Sequence, residues 1–224
     1  MRRILAIFII ICMLCPAVRA DTQGKYVALT FDDGPSGRFT RRLLEGLQQK
    51  NVKATFFLCG YRMKDYPELT KKIYEAGHEI GLHGYSHKDM GKMTQMDAAQ
   101  EIRDTLALLP DGCKPQFLRP PGGSCCENTA QAAKDAGLSI LLWSVDPKDW
   151  KVLDAPTVTT AVIDQVKSGD VILLHDMSDS SVDAAFAIID RLKKQGFTFV
   201  TVSELAEIKG ITPKPGQSYE HFRQ

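Results

Sequence analysis

The stretch Thr30-Phe31-Asp32-Asp33-Gly34-Pro35 places two neighbouring carboxylates directly after an apolar run, Tyr-Val-Ala-Leu, at residues 26–29. The run predicts a buried strand, and Gly-Pro is turn chemistry that ends it. Both aspartates therefore lie at the carboxyl end of a strand. Adjacent carboxylates in a shielded place cannot both ionise without a cation or a raised pKa on one of them. The pair predicts a metal site, a shared proton or a solvated acidic turn.

The rest of the chain alternates between apolar runs and segments with helical periodicity. This rhythm predicts a parallel sheet, either doubly wound or closed into a barrel. The seven predicted strands are 26–29, 54–58, 78–82, 116–118, 138–145, 170–174 and 197–202. Polar residues follow several of these strands: Asp32, Asp33, His83, Arg119, Asp146, Asp149 and His175. A (β/α) barrel gathers such residues into one site, which favours the barrel.

Length and composition indicate one globular domain. The chain has 224 residues, of which 44% are hydrophobic and 25% charged, and its formal net charge is +1. A nucleic-acid partner would normally leave a basic footprint, so the charge argues against one. We expect residues 21–210 to form the domain and residues 211–224 a loosely held tail.

The first twenty residues have the features of a secretory signal peptide. Arg2-Arg3 is followed by an unbroken apolar run, residues 4–14, and by the small-residue cleavage pattern Val18-Arg19-Ala20. The apolar run is too short to span a bilayer, and Pro16 argues against the alternative of an uncleaved anchor. We therefore expect a secreted protein, extracellular or associated with the cell wall, that does not contact a membrane after cleavage.

Four cysteines remain beyond residue 20: Cys59, Cys113, Cys125 and Cys126. Their spacing is not the CxxC pattern of a zinc knuckle or redox pair. In an exported protein, a disulfide from Cys113 to Cys125 or Cys126 would close one loop. Free buried thiols are the alternative, and the sequence does not choose between them.

Residues 83–87, His-Gly-Tyr-Ser-His, carry two imidazoles four positions apart, which on one helical turn would point the same way. Two histidines and one carboxylate are a familiar ligand set for catalytic Zn²⁺, with one position left for water. A lone histidine near a strand end is usually structural, but the second histidine and the acidic pair favour a metal site. Zn²⁺ suits these ligands best, and Co²⁺ or Ni²⁺ would also bind.

Five motifs occur in a fixed order: TFDDGP at 30–35, HxxxH at 83–87, RPP at 119–121, DW at 149–150 and LLH at 173–175. Together they resemble the polysaccharide deacetylases with NodB homology, carbohydrate esterase family 4. The resemblance extends from Tyr26 to about Ile208. It implies a distorted (β/α) barrel.

The resemblance also implies catalytic roles. Asp33, His83 and His87 would hold the metal. Asp32 would be the general base for a metal-activated water, and His175 the acid that protonates the leaving amine.

Supporting roles follow from the same resemblance. Arg119 would keep Asp32 ionised by charge proximity, and Asp149 would orient His175 and raise its pKa. More ordinary interpretations remain open: Arg119 in a surface ion pair, and Asp149-Trp150 as a capped turn with a core aromatic.

Three residues would contact the substrate according to the resemblance. Trp150 and Leu173 would wall the pocket for the acetyl methyl group, and the backbone N–H of Gly122 would help to stabilise the oxyanion. Leu173 could equally be plain core.

The sequence departs from the family pattern at two positions. Gly84 replaces a Ser or Thr whose hydroxyl braces the metal loop, which puts the stiffness of that loop in doubt. Gly122 replaces an aromatic residue after the prolines, so we expect a more open groove.

These observations predict a secreted, metal-dependent hydrolase that removes N-acetyl groups from an aminosugar polymer. Peptidoglycan N-acetylglucosamine is the first expected substrate, because an exported chain meets the cell wall first, and a chitin-like polymer is the other. One alternative is an O-acetyl esterase acting on xylan. Another is a catalytically silent carbohydrate-binding relative, which should lack a base, acid or ligand. We expect a monomer whose partner is the polysaccharide.

Overall fold

The computed structural model describes residues 24–223. The predicted signal peptide, residues 1–20, lies outside them. The strands are β1 (Lys25–Asp32), β2 (Thr55–Leu58), β3 (Glu79–Leu82), β4 (Phe117–Leu118), β5 (Ser139–Leu141), β6 (Val171–His175), β7 (Phe197–Val200) and β8 (Ser218–Tyr219). The α-helices are α1 (Arg38–Gln49), α2 (Gly60–Asp65), α3 (Pro67–Glu75), α4 (Gln95–Leu106), α5 (Glu127–Asp135), α6 (Asp149–Val152), α7 (Ala155–Ile163), α8 (Asp179–Lys194) and α9 (Val202–Ile208). Two short 3₁₀ turns span Met90–Lys92 and Pro121–Gly123.

Strand β1 is the centre of the sheet. It pairs in parallel with β2, β6 and β7, and its residues 27–32 are all buried. Burial on both faces explains the unbroken apolar run, because a parallel strand is covered on each side. The strands follow the order β6-β1-β2-β3-β4-β5-β8, with β7 beside β1. This curled parallel sheet with outer helices confirms the predicted distorted (β/α) barrel.

The long strand predicted over residues 138–145 is wrong in one respect, because the chain leaves the sheet after Leu141. It returns at Val145, which forms a bridge to Ile172 of β6. Val145 N–H donates to the carbonyl of Val171 at 3.2 Å, and Leu173 N–H donates to that of Val145 at 2.9 Å. This break in the strand distorts the barrel and carries the following loop over the carboxyl ends of the strands.

The C-terminal segment is not a loose tail over its described residues, 211–223. Its strand β8 pairs in parallel with β5, and Phe222 is fully buried. Phe222 N–H donates to the carbonyl of Gly169 at 2.7 Å, and its ring stacks on Tyr219. The expectation failed because a two-residue strand and one buried aromatic give almost no periodic signal.

Helix α9 was also absent from the expected elements, although it has a recognisable start. Thr201 accepts from the backbone N–H of Glu204, whose carboxylate accepts from the N–H of Thr201. This capping box spans Thr-Val-Ser-Glu, a known signature of a helix N-terminus. The final predicted strand therefore ends at Val200, and the chain turns into a helix.

All four described cysteines are free thiols. Cys59 is buried, whereas Cys125 is exposed. Of the two alternatives left by the sequence, the structure contains free thiols rather than a disulfide from Cys113. Between residues 24 and 223, no helix combines the length and apolar character needed to cross a bilayer.

Candidate active site

A cleft of about 410 Å³ lies at the carboxyl ends of the strands and is lined by eight of the ten predicted site residues. The other two, Arg119 and Asp149, are buried behind it. A larger cavity of about 450 Å³, with Arg41 and Lys72 in its wall, contains none of the ten. Chemistry rather than volume therefore identifies the candidate site.

The cluster formed by Asp33, His83 and His87 is compact. Oδ1 of Asp33 lies 3.2 Å from Nε2 of His83 and 3.0 Å from Nε2 of His87. One ligand atom from each residue lies within 4.8 Å of the others, as cation coordination requires. The end of β1 turns sharply here, with Asp33 in the left-handed conformation at φ 72°.

The tautomer of His83 is set by its surroundings. Its Nδ1 lies 2.7 Å from the carbonyl oxygen of Arg119, which can only accept, so Nδ1 carries the proton. With Nδ1 held in this way, Nε2 is the ring nitrogen that faces Asp33. A ligating histidine held through its other nitrogen is the usual arrangement in metal sites.

The carboxylate of Asp33 fits a bound cation. Its Oδ1 is buried and, despite the two nearby ring nitrogens, has no hydrogen-bond partner. Burial raises the pKa of Asp33, but the two imidazoles outweigh it and hold that pKa well below its usual range. The adjacent Asp33 carboxylate in turn raises the pKa of His87. The cluster is built to surround positive charge.

The histidines do not lie on a helical turn, contrary to the expectation from their spacing. Residues 83–87 form a loop, in which Gly84 and His87 have φ angles of 72° and 57°. Two left-handed residues in five prevent a helix. The loop curls instead, which brings the ring centroids of His83 and His87 to 5.2 Å.

Arg119 is wholly buried and pairs with Asp32, so the interpretation as a surface ion pair is wrong. Its Nη1 donates to Oδ1 of Asp32 at 2.6 Å and to Oγ1 of Thr30 at 2.9 Å. Nε and Nη2 donate to the carbonyls of Leu141 and Leu142 at 3.1 and 2.8 Å. Oδ1 of Asp32 is thereby committed to Arg119, which leaves Oδ2 as the oxygen available to the cleft.

His175 is held by both oxygens of Asp149. Its Nδ1 donates to Oδ1 at 2.9 Å, and its backbone N–H donates to Oδ2 at 2.8 Å. Burial lowers the pKa of His175, but Asp149, with smaller contributions from Asp32 and Asp33, raises it to about 9. Asp149 does begin α6, yet its carboxylate accepts from His175 rather than acting as a helix cap. His175 is therefore protonated at neutral pH.

The remaining predicted residues line the cleft in different ways. Trp150 stands at the rim with 59% of its surface exposed, whereas Leu173 is 3% exposed and forms an inner wall. Gly122 has a φ of 63°, and a Cβ there would meet no atom within 4 Å. Glycine is favoured at this position by its backbone conformation, and the space above it is open.

Three further residues of the site were not predicted. Trp143 lines the cleft, and Asp176 lies buried beneath it. Asp176 accepts a hydrogen bond from Thr40, and burial raises its pKa to about 7. Its one sequence signal is its position directly after His175. The third residue, Glu101, contacts backbone N–H groups and has no recognisable sequence signal.

Known proteins resemble the chain in sequence and structure. The profile of the family described as polysaccharide deacetylase matches residues 19–141. Peptidoglycan-N-acetylglucosamine deacetylase of Bacillus cereus is 42% identical over 185 residues, covering 80% of this chain and 67% of the relative. Peptidoglycan-N-acetylmuramic acid deacetylase PdaC of Bacillus subtilis is 37% identical over 191 residues, which is 84% of this chain and 40% of PdaC.

Among solved structures, a family 4 acetyl xylan esterase from Clostridium thermocellum, in complex with a cobalt ion, superimposes with a TM-score of 0.82 at 34% identity. The match covers 88% of this chain and 98% of the esterase. This chain thus spans the esterase structure almost completely, but less than half of PdaC. Since the family profile covers more than half of its residues, the chain belongs to the polysaccharide deacetylase family.

Proposed function

We propose that the protein is an exported, metal-dependent hydrolase that removes N-acetyl groups from an aminosugar polymer, with peptidoglycan as first substrate. The observation that carries the proposal is the buried, unpartnered Oδ1 of Asp33 facing two imidazole nitrogens, with Asp32 and His175 on the same cleft. The names of the Bacillus relatives support peptidoglycan as the substrate. The signal-peptide features of residues 1–20 support export.

Asp33, His83 and His87 would hold the cation, and Zn²⁺ fits these ligands best. The cobalt ion in the acetyl xylan esterase structure supports Co²⁺ as a substitute. A divalent cation there would polarise the acetyl carbonyl and acidify a water molecule.

The protein's own groups would then move the protons. Asp32, whose Oδ1 accepts from Arg119, takes a proton from the attacking water through its free Oδ2. His175, which is protonated at neutral pH, donates a proton to the leaving nitrogen. Gly122 lines the cleft, and its backbone N–H would donate to the developing oxyanion.

An O-acetyl esterase acting on xylan is the second candidate, favoured by the likeness to the Clostridium thermocellum enzyme. Both reactions need the same base and attack an acetyl carbonyl, so the residues of the cleft do not distinguish an N-acetyl from an O-acetyl substrate. A silent carbohydrate-binding protein is disfavoured, because the base, the acid and all three ligands are present and converge on one cleft.

Acetate release tests the proposal. The purified protein with Zn²⁺ is incubated with peptidoglycan, chitooligosaccharide and acetylated xylan in parallel, with Asp32→Asn as the control. We expect release from an N-acetylated polymer, and we expect the substitution to slow it by about 10²–10⁴-fold. Release from xylan alone would favour the O-acetyl esterase. Release from none of the three, with metal bound, would favour the silent binding protein.

The signal-peptide hypothesis has its own test. The secreted protein is expected to begin at Asp21, and the intact mass of the purified protein shows whether it does.

The pH profile is expected to depend on Asp149. A general acid must be protonated, so activity should fall as the pH rises past the pKa of His175, about 9 in the cation-free protein. A bound cation offsets the charges of Asp32 and Asp33. In the metal-loaded enzyme, the alkaline limb of the pH profile, where activity falls, therefore lies at a lower pH. Asp149→Asn removes the contribution that raises the pKa of His175 most. It should move the alkaline limb towards pH 6.5, the ordinary pKa of a histidine.

The measurement is kcat/KM between pH 5 and 10 for both proteins at saturating Zn²⁺. Asp164→Asn, a carboxylate outside the cleft on the turn after α7, serves as the control and should keep the wild-type profile. An unchanged alkaline limb in Asp149→Asn would rule out His175 as the acid.

A further inference from the structure

The loop between the two histidine ligands is held by a single carboxylate from another element. Oε2 of Glu101, on helix α4, accepts from the backbone N–H groups of Tyr85 and Ser86, both at 2.7 Å. Its Oε1 accepts from the hydroxyl of Ser86, also at 2.7 Å. Three donors from two consecutive loop residues therefore converge on Glu101.

A carboxylate suits this position because hydrogen bonds to an ionised acceptor are shorter and about twice as strong as neutral ones. Without it, two adjacent backbone N–H groups would lose their partner at a cost of about 1–3 kcal/mol each where they are shielded from water. Helix α4 presents the carboxylate from a firm base, since Ala98, Ile102 and Thr105 are buried against the core. The loop is thus attached to a packed helix.

Gly84 is part of the same arrangement. A Cβ at this position would lie 3.3 Å from Oε2 of Glu101 and 3.5 Å from Sδ of Met90, and the φ of 72° would strain any side chain. The absence of a side chain at this position therefore makes room for the carboxylate. The loop is braced by Glu101 from helix α4.

The two histidines depend on this brace unequally. The ring of His83 is fixed by the carbonyl of Arg119, and its side chain is 2% exposed. The side chain of His87 is 43% exposed, and within residues 24–223 its one polar contact is with Asp33. The position of His87 therefore follows from the backbone of the loop that carries it.

We infer that Glu101 is a positioning residue for the metal site: by holding Tyr85 and Ser86, it sets the distance of His87 from His83 and Asp33. This rests on the metal site of the proposed function. Residues that orient metal ligands typically change metal affinity by about 10–100-fold when they are removed. Glu101→Ala is therefore expected to weaken Zn²⁺ binding by about 10–100-fold, chiefly through His87.

The test compares the dissociation constants of Zn²⁺ and Co²⁺, measured by calorimetry, for the wild type, Glu101→Ala and Glu101→Gln. An amide oxygen can still accept from both backbone N–H groups, so Glu101→Gln should recover most of the affinity. Asp104→Ala removes a carboxylate from the same helix and should bind as the wild type does. Hydrogen exchange of the Tyr85 and Ser86 amides in the cation-free proteins gives a second readout, and it should accelerate only in Glu101→Ala.

Equal Zn²⁺ affinity in the wild type and a folded Glu101→Ala would overturn the inference and leave the proposed function intact. Should Glu101→Ala fail to fold, Ser86→Ala takes its place, because it removes one of the three bonds and keeps both backbone ones. Ser86→Ala should weaken Zn²⁺ binding by about 2–5-fold, as expected for the loss of one hydrogen bond. Unchanged Zn²⁺ binding would count against the positioning role of Glu101. A wild type that binds no divalent cation would remove the proposed function and this inference together.

Discussion

Replacing Asp32 with asparagine is expected to slow acetate release by about 10²–10⁴-fold, the usual contribution of a general base. The amide keeps the shape of the side chain and can still accept from Nη1 of Arg119, which donates to Oδ1 at 2.6 Å in the native protein. It cannot take a proton from water. The proposed cation ligands, Asp33, His83 and His87, are unchanged, so Zn²⁺ binding should persist.

The neighbouring substitution Asp33→Asn is the matched control, because the same chemical change one residue later should give the opposite pattern. It replaces the carboxylate whose Oδ1 lies 3.0 Å from Nε2 of His87, and we expect it to abolish Zn²⁺ binding. Calorimetry and acetate release on both variants separate the two roles. A comparable loss of Zn²⁺ binding in both variants would contradict the proposal that Asp32 is the base and Asp33 the cation ligand.

A second control addresses stability, since Asp32→Asn also leaves Arg119 without its counter-charge. Asp170 is 2% exposed, and its Oδ1 lies 2.9 Å from Nε of Arg223, remote from the cleft. Asp170→Asn therefore disturbs a carboxylate–arginine pair whose carboxylate is buried, without altering the proposed base. It should lower the unfolding temperature and leave acetate release unchanged well below that temperature.

Replacing Arg119 with methionine is expected to cost about 3–5 kcal/mol of unfolding free energy, because it leaves the buried carboxylate of Asp32 uncompensated. Arg119 has no exposed surface and lies 3.9 Å from the ring centroid of Phe57. Its loss also removes the hydrogen-bond donors to the carbonyls of Leu141 and Leu142. Activity should fall in parallel, because Asp32 loses the donor that holds its Oδ1 in place.

Chemical denaturation of Arg119→Met, Asp32→Asn and the double variant measures this coupling. The double variant has no uncompensated charge, so it should regain part of the stability that Arg119→Met loses, and none of the activity. Arg42→Met breaks an ion pair with Asp179 in which Arg42 is 42% exposed, and it should cost less than about 1 kcal/mol. Strict additivity of the two single substitutions would contradict a direct Asp32–Arg119 pair.

The sequence predicted the barrel and the location of the site because both depend on patterns along the chain. The alternation of strands and helices fixes parallel topology, and parallel topology gathers Asp32, His83 and His175 at one end. The ordered motifs then selected residues that the fold brings to a single cleft. Their individual chemical roles stay predictions.

What the sequence missed depends on contacts without a local pattern. The spacing of His83 and His87 suggested a helical turn, whereas positive φ angles at Gly84 and His87 curl the loop. Arg119 is buried because the strands of the sheet surround it, and the residues next to it in the sequence give no sign of this burial. Glu101 bonds to backbone N–H groups, which every residue except proline carries, so no motif could mark its partners.

Strand β8 has a practical consequence for anyone who expresses this protein. A chain cut before Ser218 would leave β5 with an unpaired edge, and uncovered edges recruit strands from other copies. Phe222 is fully buried, so a foreign segment joined directly after it would begin against the wall of the barrel. Versions shortened before Ser218 should therefore yield less soluble protein than versions that keep β8 and Phe222.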